Sequence, residues 1–247
     1  MSDLDRIVQI LTAGQSPRVW SVLVTVFGDL APTSGDRISG ALLRRIGAEI
    51  GFRPEAVRVA LHRLRKEGWI ESHRSGRTTD YDLTARGAAE TRSAAPSIYR
   101  PVVPDAGYLV LDEAGAALDT LWVTPQMGLS ARPVGHALRL DRPPPEWMRR
   151  ATVSPDLMAE TARVAQAFAS LARQPLPPLD PLGIAVVRVL IVHDWRRIAL
   201  RATGLPDAFH PDGWAGAGAR DDAKTLLDRL PRPYLSELEA AVQANAI

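Results

Sequence analysis

Only three residues separate two segments of helical periodicity near the start of the chain. The earlier segment, residues 39–50, begins with a serine that can cap a helix and repeats apolar residues on one face. Gly51 ends it, and the next helix begins at Pro54, a residue suited to a first helical turn. An apolar helix over 17–30, with Ser16 as its expected N-cap, precedes both. Helices joined by so short a glycine-containing turn indicate a helix-turn-helix.

The helix that begins at Pro54 has two distinct faces within "VRVALHRLRKEGWIESHRSGR", residues 57–77. One face is apolar, with residues at the spacing i, i+3, i+4 and i+7: Val57, Ala60, Leu61 and Leu64. Arg58, His62 and Arg65 share another face. The pattern predicts a helix that is fixed to its domain on one side and presents basic side chains on the other.

Two short strand patterns follow this helix after Gly68. They are "WIESHR", residues 69–74, and "TDYDLT", residues 79–84, and the turn between them contains Gly76. Trp69 is placed to pack the hairpin against the helices. Three helices followed by a hairpin predict a winged helix-turn-helix.

Positive charge is concentrated in this part of the chain. The formal net charge is only +2, yet residues 37–77 hold ten Arg or Lys against four Asp or Glu. Such a local surplus is typical of a surface that faces phosphates. The candidate DNA contacts are basic residues of the third helix and the hairpin: Arg53, Arg58, His62, Arg63, Arg65, Arg74 and Arg77.

The chemistry of these side chains leaves their individual targets open. Arg58 and Arg65 could pair with guanine O6 and N7 in the major groove or hold phosphates instead. Arg53 and Arg63 lie nearer the edges of the helix, where the phosphates of the DNA backbone would be. Arg74 and Arg77 would extend from the wing toward the minor groove or phosphates. The competing interpretation is a solvated basic helix beside an ordinary hairpin.

Two proline-containing stretches divide the remainder. The sequence predicts an α+β protein, mainly α, with a winged helix-turn-helix DNA-binding domain over 1–94. A small α/β middle domain is expected over 95–150 and a helical C-terminal domain over 151–247, whose helices we expect to form the dimer and respond to an effector.

The middle domain has three strand patterns. These are residues 107–112, 120–125 and 135–141, and the segment 113–119 is expected to form a short helix or turn.

Composition excludes several classes of function. There are no cysteines, so disulfides, thiol nucleophiles and cysteine metal sites are absent, as suits a reducing cytoplasm. No apolar run is long enough to span a membrane, and the N-terminus lacks a signal-peptide pattern. We expect a cytoplasmic protein with no cofactor, no metal and no membrane partner.

Three further groups of polar residues deserve weighing as sites. His193 and Asp194 are adjacent, but neighbours on a helix point about 100° apart and do not form a catalytic dyad readily. Asp112 follows a strand, where a single carboxylate cannot hold a catalytic metal. Metal-ligand residue types also occur within a loop: Asp207, His210 and Asp212. Without a second cluster, a solvated loop is the better interpretation, and we predict no enzyme.

Three stretches together resemble the PaaX family of bacterial transcriptional repressors. They are "SVLVTVFGD", "AVRVALHRLRKEGWIESHRSGRTTDYDLTARG" and, far downstream, "HDWRRIALRATGLPDAFHPDGW". The resemblance covers both ends of the chain in the same order. It implies an N-terminal winged helix that binds operator DNA, a ferredoxin-like middle domain and a helical C-terminal domain. The middle segment here is more compact and lacks the Gly-Phe pair usual in the family.

The resemblance also implies partners. A homodimer would bind a palindromic double-stranded operator, repress a phenylacetate-type catabolic operon, and be released by an aryl-acyl-CoA such as phenylacetyl-CoA. The candidate effector residues lie in the C-terminal signature: His193, Arg196, Arg197 and Trp214. Pairing of Arg196 and Arg197 with nearby acids, and a packing role for Trp214, are the competing interpretations.

Two alternative functions stay open at this point. One is a DNA-binding regulator or activator without acyl-CoA control. The other is a metal-dependent nuclease that uses Asp112 in the middle domain.

Overall fold

The computed structural model describes residues 1–12, 16–76 and 78–244 of the 247-residue chain. The elements of its N-terminal part are, in chain order, α1 (Asp3–Thr12), α2 (Val19–Leu30), β1 (Ile38–Ser39), α3 (Gly40–Glu49), α4 (Pro54–Lys66), β2 (Ile70–Ser75), β3 (Thr78–Leu83) and α5 (Ala85–Tyr99). The middle strands are β4 (Gly107–Leu111), β5 (Leu121–Thr124), β6 (Met127–Ser130) and β7 (Ala137–Leu140). The later helices are α6 (Glu146–Arg149), α7 (Pro155–Ala172), α8 (Pro181–Ala199), α9 (Gly216–Arg229) and α10 (Leu235–Ala244).

Side-chain caps fix the starts of several helices. Ser39, Thr84 and Ser154 accept backbone N–H bonds of 3.0, 3.1 and 3.2 Å in the first turns of α3, α5 and α7, and the cap predicted at Ser39 is thereby confirmed. The cap expected at Ser16 is wrong. Helix α2 instead follows Arg18, whose backbone is extended and whose side chain makes no capping bond.

The N-terminal sheet is antiparallel, in the order β1-β3-β2. Ile70 pairs with Leu83 at the base of the β2–β3 hairpin, and Ile38 pairs with Tyr81 to bring β1 alongside β3. Strand β1 is only two residues long and carries no pattern that the sequence alone would reveal. It ties the hairpin to the start of α3.

The middle segment corrects a prediction. Four antiparallel strands form a sheet in the order β5-β6-β4-β7, and no helix occurs between residues 107 and 140, so the expected α/β unit is all-β there. Strand β6 was missed because only two turn residues separate it from β5. The sheet packs on Phe209, and a Cβ at Gly107 would lie 2.2 Å from that ring.

One apolar core runs through both ends of the chain. Helix α8 is buried along most of its length and packs against α2, α5, α7 and α9. Helix α1, which the sequence reading did not assign, adds Ile7, Val8 and Leu11 to the same core. A smaller cluster around Leu129 and Phe209 lies under the middle sheet. Helices α2, α3 and α5 of the N-terminal part therefore rest directly on α8, and α4 rests on α2 and α3.

Among the described residues, none of the helices combines the length and the apolar character needed to cross a membrane.

Candidate nucleic-acid interface

Helix α4 is held by the apolar stripe that its sequence predicts. Val57, Ala60, Leu61 and Leu64 are all buried, and the helix packs against α2 and α3. The approach to α3 is close, because a Cβ at Gly47 would lie 2.8 Å from a Val57 methyl carbon. The orientation of α4 in its domain is therefore set by packing, and its opposite face is available to a partner.

The opposite face carries the basic residues that the sequence indicates. Arg58, His62 and Arg65 are exposed, as is Arg53 just before the helix. The Arg65 guanidinium donates to the Ser72 hydroxyl at 3.4 Å, which links α4 to the first strand of the hairpin. Helix and hairpin thus present one continuous cationic surface.

Arg63 has a different environment from the other arginines of α4. Its Nε donates to Glu67 Oε1 at 2.7 Å, and its guanidinium carbon lies 5.1 Å from the centre of the Trp20 ring. The Trp20 indole N–H donates to the other Glu67 oxygen at 3.1 Å. This cation–π and ion-pair cluster joins α4 to α2, so Arg63 already has structural partners.

The hairpin carries a further basic residue near its turn. Arg74 is exposed near the end of β2, and its Nε lies 3.4 Å from the Gly76 carbonyl oxygen. Gly76 has φ +59°, which favours glycine. Arg77, the remaining predicted wing contact, lies outside the described residues.

Two exposed basic residues belong to this surface and were not singled out from the sequence. Arg44 of α3 lines a groove together with Glu55, Arg58 and Tyr81, and Lys66 is exposed at the end of α4. The spacing of Arg44 from the buried residues of α3 already placed it on the outer face of that helix. Only the packing of α3 beside α4 brings it next to Arg58.

The base of the hairpin is braced by polar contacts. His73 Nε2 lies 2.7 Å from Asp82 Oδ1, while the Gly35 backbone N–H donates to Asp82 Oδ2 at 3.1 Å. Ligand atoms of Glu71 lie close to those of His73 and Asp82, which makes this the one metal-type group in the part of the chain that the structure describes. Both oxygens of the buried Asp82 carboxylate already accept hydrogen bonds, so the group serves to brace the strand.

Trp69 seats the hairpin at its junction with α4. Its ring packs against the main core, and its carbonyl oxygen accepts the Thr84 backbone N–H at 3.0 Å. Gly87 approaches this carbonyl so closely that a Cβ there would lie 2.3 Å from the oxygen. The junction between α4, β2 and α5 is thus a tightly packed point.

The four candidate effector residues do not meet in one site. Arg196 donates to the Ser21 carbonyl and hydroxyl at 2.9 and 2.8 Å and to Thr25 Oγ1 at 2.8 Å, so it joins α8 to α2. Arg197 pairs with Glu160 at 2.7 Å. Pairing with an acid therefore describes Arg197, whereas the partners of Arg196 are neutral.

His193 and Trp214 are packed against neighbouring side chains. His193 Nδ1 lies 3.4 Å from Thr25 Oγ1, and burial, with the charges of Arg196 and Arg197, lowers the pKa of His193 to about 3. Burial and the nearby Arg197 lower the pKa of Arg196 to about 10. Trp214 stacks at 5.0 Å on His210, consistent with an anchor for its loop.

Two cavities flank α8 on different sides. One, of about 170 Å³, lies between α2, α5 and α8 and is lined by Trp69, Ile98, Tyr99 and Arg196 among other residues. The other, of about 140 Å³, includes Trp214 in its wall. Arg196 and Trp214 consequently face separate cavities.

The other polar groups weighed from the sequence are dispersed by the fold. Asp194 pairs with Arg163 at 3.3 Å rather than with its neighbour His193. The three loop residues each have different partners, which are Arg220 for Asp207, Thr152 for His210 and Arg149 for Asp212. Asp112 lies 3.3 Å from His136 and belongs to no three-ligand group among the described residues.

The chain is similar in sequence to a protein family and to a curated repressor, and more distantly in structure to a solved protein. The model for "PaaX-like protein" matches residues 18–87 and that for "PaaX-like protein C-terminal domain" matches residues 157–234, which together exceed half of the chain. The transcriptional repressor PaaX of Escherichia coli (strain K12) is 27% identical over 272 residues, covering 93% of this chain and 86% of that protein. An uncharacterized protein of Mycobacterium tuberculosis aligns in structure with a TM-score of 0.47 and 19% identity, covering 90% of this chain and 97% of the other. The chain therefore belongs to the PaaX family of transcriptional repressors.

Proposed function

We propose that residues 19–83 form a winged helix-turn-helix that binds operator DNA, with α4 in the major groove and the β2–β3 hairpin as the wing. The observation that carries this proposal is the division of α4 into a fully buried stripe and an exposed basic face that continues onto the hairpin through Arg65 and Ser72. A reading helix needs both faces, because one must hold its orientation while the other contacts the groove.

The direct contacts proposed are those of Arg53, Arg58, His62, Arg65 and Arg74, with Arg77 completing the wing. Arg58 and Arg65 suit guanine edges or phosphates, and Arg53 and Arg74 suit the flanking backbone. Arg63, which the sequence placed among the DNA contacts, is left out of this set because its guanidinium is engaged by Trp20 and Glu67.

Family membership favours repression as the regulatory outcome and a regulator over an enzyme. We propose that two copies bind a palindromic operator, because twofold sites are matched by one reading helix per half-site. The C-terminal helices are the proposed dimer contact, and a cytoplasmic location follows for a protein that binds chromosomal DNA. The nuclease alternative loses support because, within the part of the chain that the structure describes, Asp112 belongs to no group of three residues that could hold a metal.

An aryl-acyl-CoA such as phenylacetyl-CoA is the proposed effector, and the cavity between α2, α5 and α8 is its best-supported site for the aryl group. A cavity of about 150 Å³ accepts a benzene ring in another protein, and this partly open pocket of about 170 Å³ has room for an aryl group. The wall includes Trp69, which lies where α4 meets the wing. Of the earlier effector candidates, Arg196 lines this cavity, whereas His193, Arg197 and Trp214 do not.

A ligand in this cavity releases DNA only if it binds the non-binding conformation more tightly. A ring inserted beside Trp69 would press between the DNA-binding helices and α8, and the protein would respond by a change in the angle of α4 and the wing. A tenfold loss of operator affinity needs about 1.4 kcal/mol of differential binding.

A gel-shift titration on the DNA upstream of the protein's own coding sequence tests site and effector together. We expect a specific complex that weakens steeply with salt, is lost in the Arg58→Ala, Arg65→Ala double variant, and is released by phenylacetyl-CoA but not by coenzyme A. Arg173→Ala, at an exposed position after α7, is the matched control. Full binding by the double variant would overturn the reading-helix assignment, while binding unaffected by any acyl-CoA would favour a regulator without such control.

A further inference from the structure

Val59 stands apart from the other outward residues of α4. Its side chain is 64% exposed, and it belongs neither to the main core nor to the partly buried residues packed against it. Single exposed apolar residues are common on protein surfaces and need no explanation by themselves. The position of Val59 on α4, however, points to a role in binding.

Val59 lies near the centre of the outward face. Two helical residues rotate the direction of a side chain by about 200°, so Val59 points almost opposite to the buried Val57. It shares a stripe with Glu55, His62 and Lys66, at the spacing i, i+4, i+7 and i+11. Arg58 and Arg65 lie on the side of this stripe that faces the hairpin, since Arg65 contacts Ser72.

The chemistry of the stripe leaves Val59 one favourable partner in a DNA groove. Valine cannot donate a hydrogen bond to a phosphate or to a base edge, so it contributes nothing to the salt-dependent part of binding. The apolar group that the major groove exposes is the C5-methyl of thymine. Val59 is the sixth residue of the thirteen-residue helix, in the N-terminal half that recognition helices direct at base edges.

We propose that Val59 determines operator specificity by contacting the C5-methyl of one thymine in each half-site, within the cationic surface formed by Arg58 and Arg65. This inference rests on the proposed function, in which α4 is the reading helix. Loss of this contact exposes about one methyl group to water, which lowers the affinity for the operator roughly fourfold.

The test begins with duplexes selected from a random pool by the full-length protein. Each thymine of a selected site is replaced in turn by deoxyuridine, which removes only the methyl group, and affinities are measured for the wild type, Val59→Ala and Val59→Thr. We expect one thymine per half-site at which deoxyuridine weakens wild-type binding about fourfold. At that position Val59→Ala should bind the two duplexes equally, and Val59→Thr, which keeps a methyl group, should retain discrimination.

Every other thymine is an internal control, because replacement there should affect wild type and Val59→Ala alike. Identical deoxyuridine profiles for the two proteins would overturn the inference. Arg58→Ala and Arg65→Ala, measured on the same duplexes, distinguish a failure of the proposed function from a failure of the thymine contact. If these variants bind as tightly as the wild type, α4 is not the reading helix and the proposed function fails; if they lose affinity while the profiles stay identical, only the thymine contact fails.

Discussion

Asp29 of α2 and Arg188 of α8 form a buried two-bond ion pair, with Nε to Oδ2 at 2.8 Å and Nη2 to Oδ1 at 3.1 Å. The Tyr99 hydroxyl donates to Asp29 Oδ1 at 2.7 Å, and Arg188 also donates to the Leu230 carbonyl at 2.7 Å. The pair thus joins α2 to the C-terminal helices. Burial, with the adjacent Asp29 carboxylate, raises the pKa of Tyr99.

Removal of one partner of this ion pair should be strongly destabilising. Asp29→Ala leaves the Arg188 guanidinium buried without its counter-charge, and such losses cost about 3–5 kcal/mol. We expect the double replacement Asp29→Leu, Arg188→Met to cost less than either single change. Urea unfolding followed by circular dichroism measures all three.

Lys224→Ala is the control for the ion-pair series, because the Lys224–Asp228 pair lies on an exposed helix face and should matter little. If Asp29→Ala and Lys224→Ala lowered the free energy of unfolding equally, the Asp29–Arg188 pair would not be a stabilising buried contact. Because the two ends of the chain share one core, we also expect the loss to appear as a shift of a single unfolding transition.

Two glycines in helices should respond oppositely to alanine. A Cβ at Gly87 of α5 would lie 2.3 Å from the Trp69 carbonyl oxygen, so Gly87→Ala must move backbone and should destabilise by about 1–3 kcal/mol. Gly218 of α9 has open space around it, so Gly218→Ala should stabilise by about 0.5–1 kcal/mol through helix propensity. Thermal unfolding of both variants measures the change in Tm. A higher Tm for Gly87→Ala would show that α5 lies farther from Trp69.

Burial of His193 predicts a loss of stability in mild acid. Its pKa is about 3 in the folded protein against the ordinary histidine value of 6.5 in an unfolded chain, so between these limits the unfolded state binds more protons. The stabilising contribution of the neutral imidazole is complete above pH 6.5 and is lost as the pH falls toward 3. From pH 7.5 to pH 5 the expected loss is about 2 kcal/mol.

His193→Gln provides the comparison, since glutamine does not titrate. The variant should show a flatter dependence of the free energy of unfolding on pH between 5 and 7, with Asp194 and all other groups left in place. Parallel curves for the two proteins would mean that His193 accepts a proton in the folded state.

Replacement of different arginines of α4 should have different effects on the salt dependence of DNA binding. Arg58→Ala should reduce the slope of log K against log salt by about one, as expected for loss of one phosphate contact, or relax base preference if Arg58 contacts a guanine. Arg63→Ala should leave the slope unchanged and lower stability instead, because it removes the contacts with Trp20 and Glu67. An equal loss of slope in both variants would mean that Arg63 leaves Trp20 for a phosphate when DNA binds.

Local sequence signals were sufficient for much of the N-terminal part of the fold. The stripe from Val57 to Leu64, the caps at Ser39 and Thr84, and the hairpin around Gly76 are set by interactions within a few residues, which periodicity and turn chemistry describe well. The middle segment was harder, because strands of four residues with a weak period do not reveal how many there are or how they pair.

The site was predictable in its composition but not in its contacts. The sequence placed Arg63 with the arginines proposed to bind DNA. Its partner Glu67 lies only four residues later, but Trp20 comes from α2, which meets α4 only in the fold. Likewise Arg196 and Arg197 are neighbours in sequence, but α8 directs one toward α2 and the other toward Glu160.

By itself, then, the sequence determined the order of the helices and of the two hairpin strands from residue 17 to 84, though not β1, and the basic face of α4, because these depend on spacing along the chain. The family followed from the resemblance of the motifs at both ends of the chain. Tertiary structure alone decided that both ends of the chain share a core, that Asp29 meets Arg188 across 159 positions, and that Val59 stands uncovered among cations. Long-range packing selects these contacts from many that the same local pattern would permit.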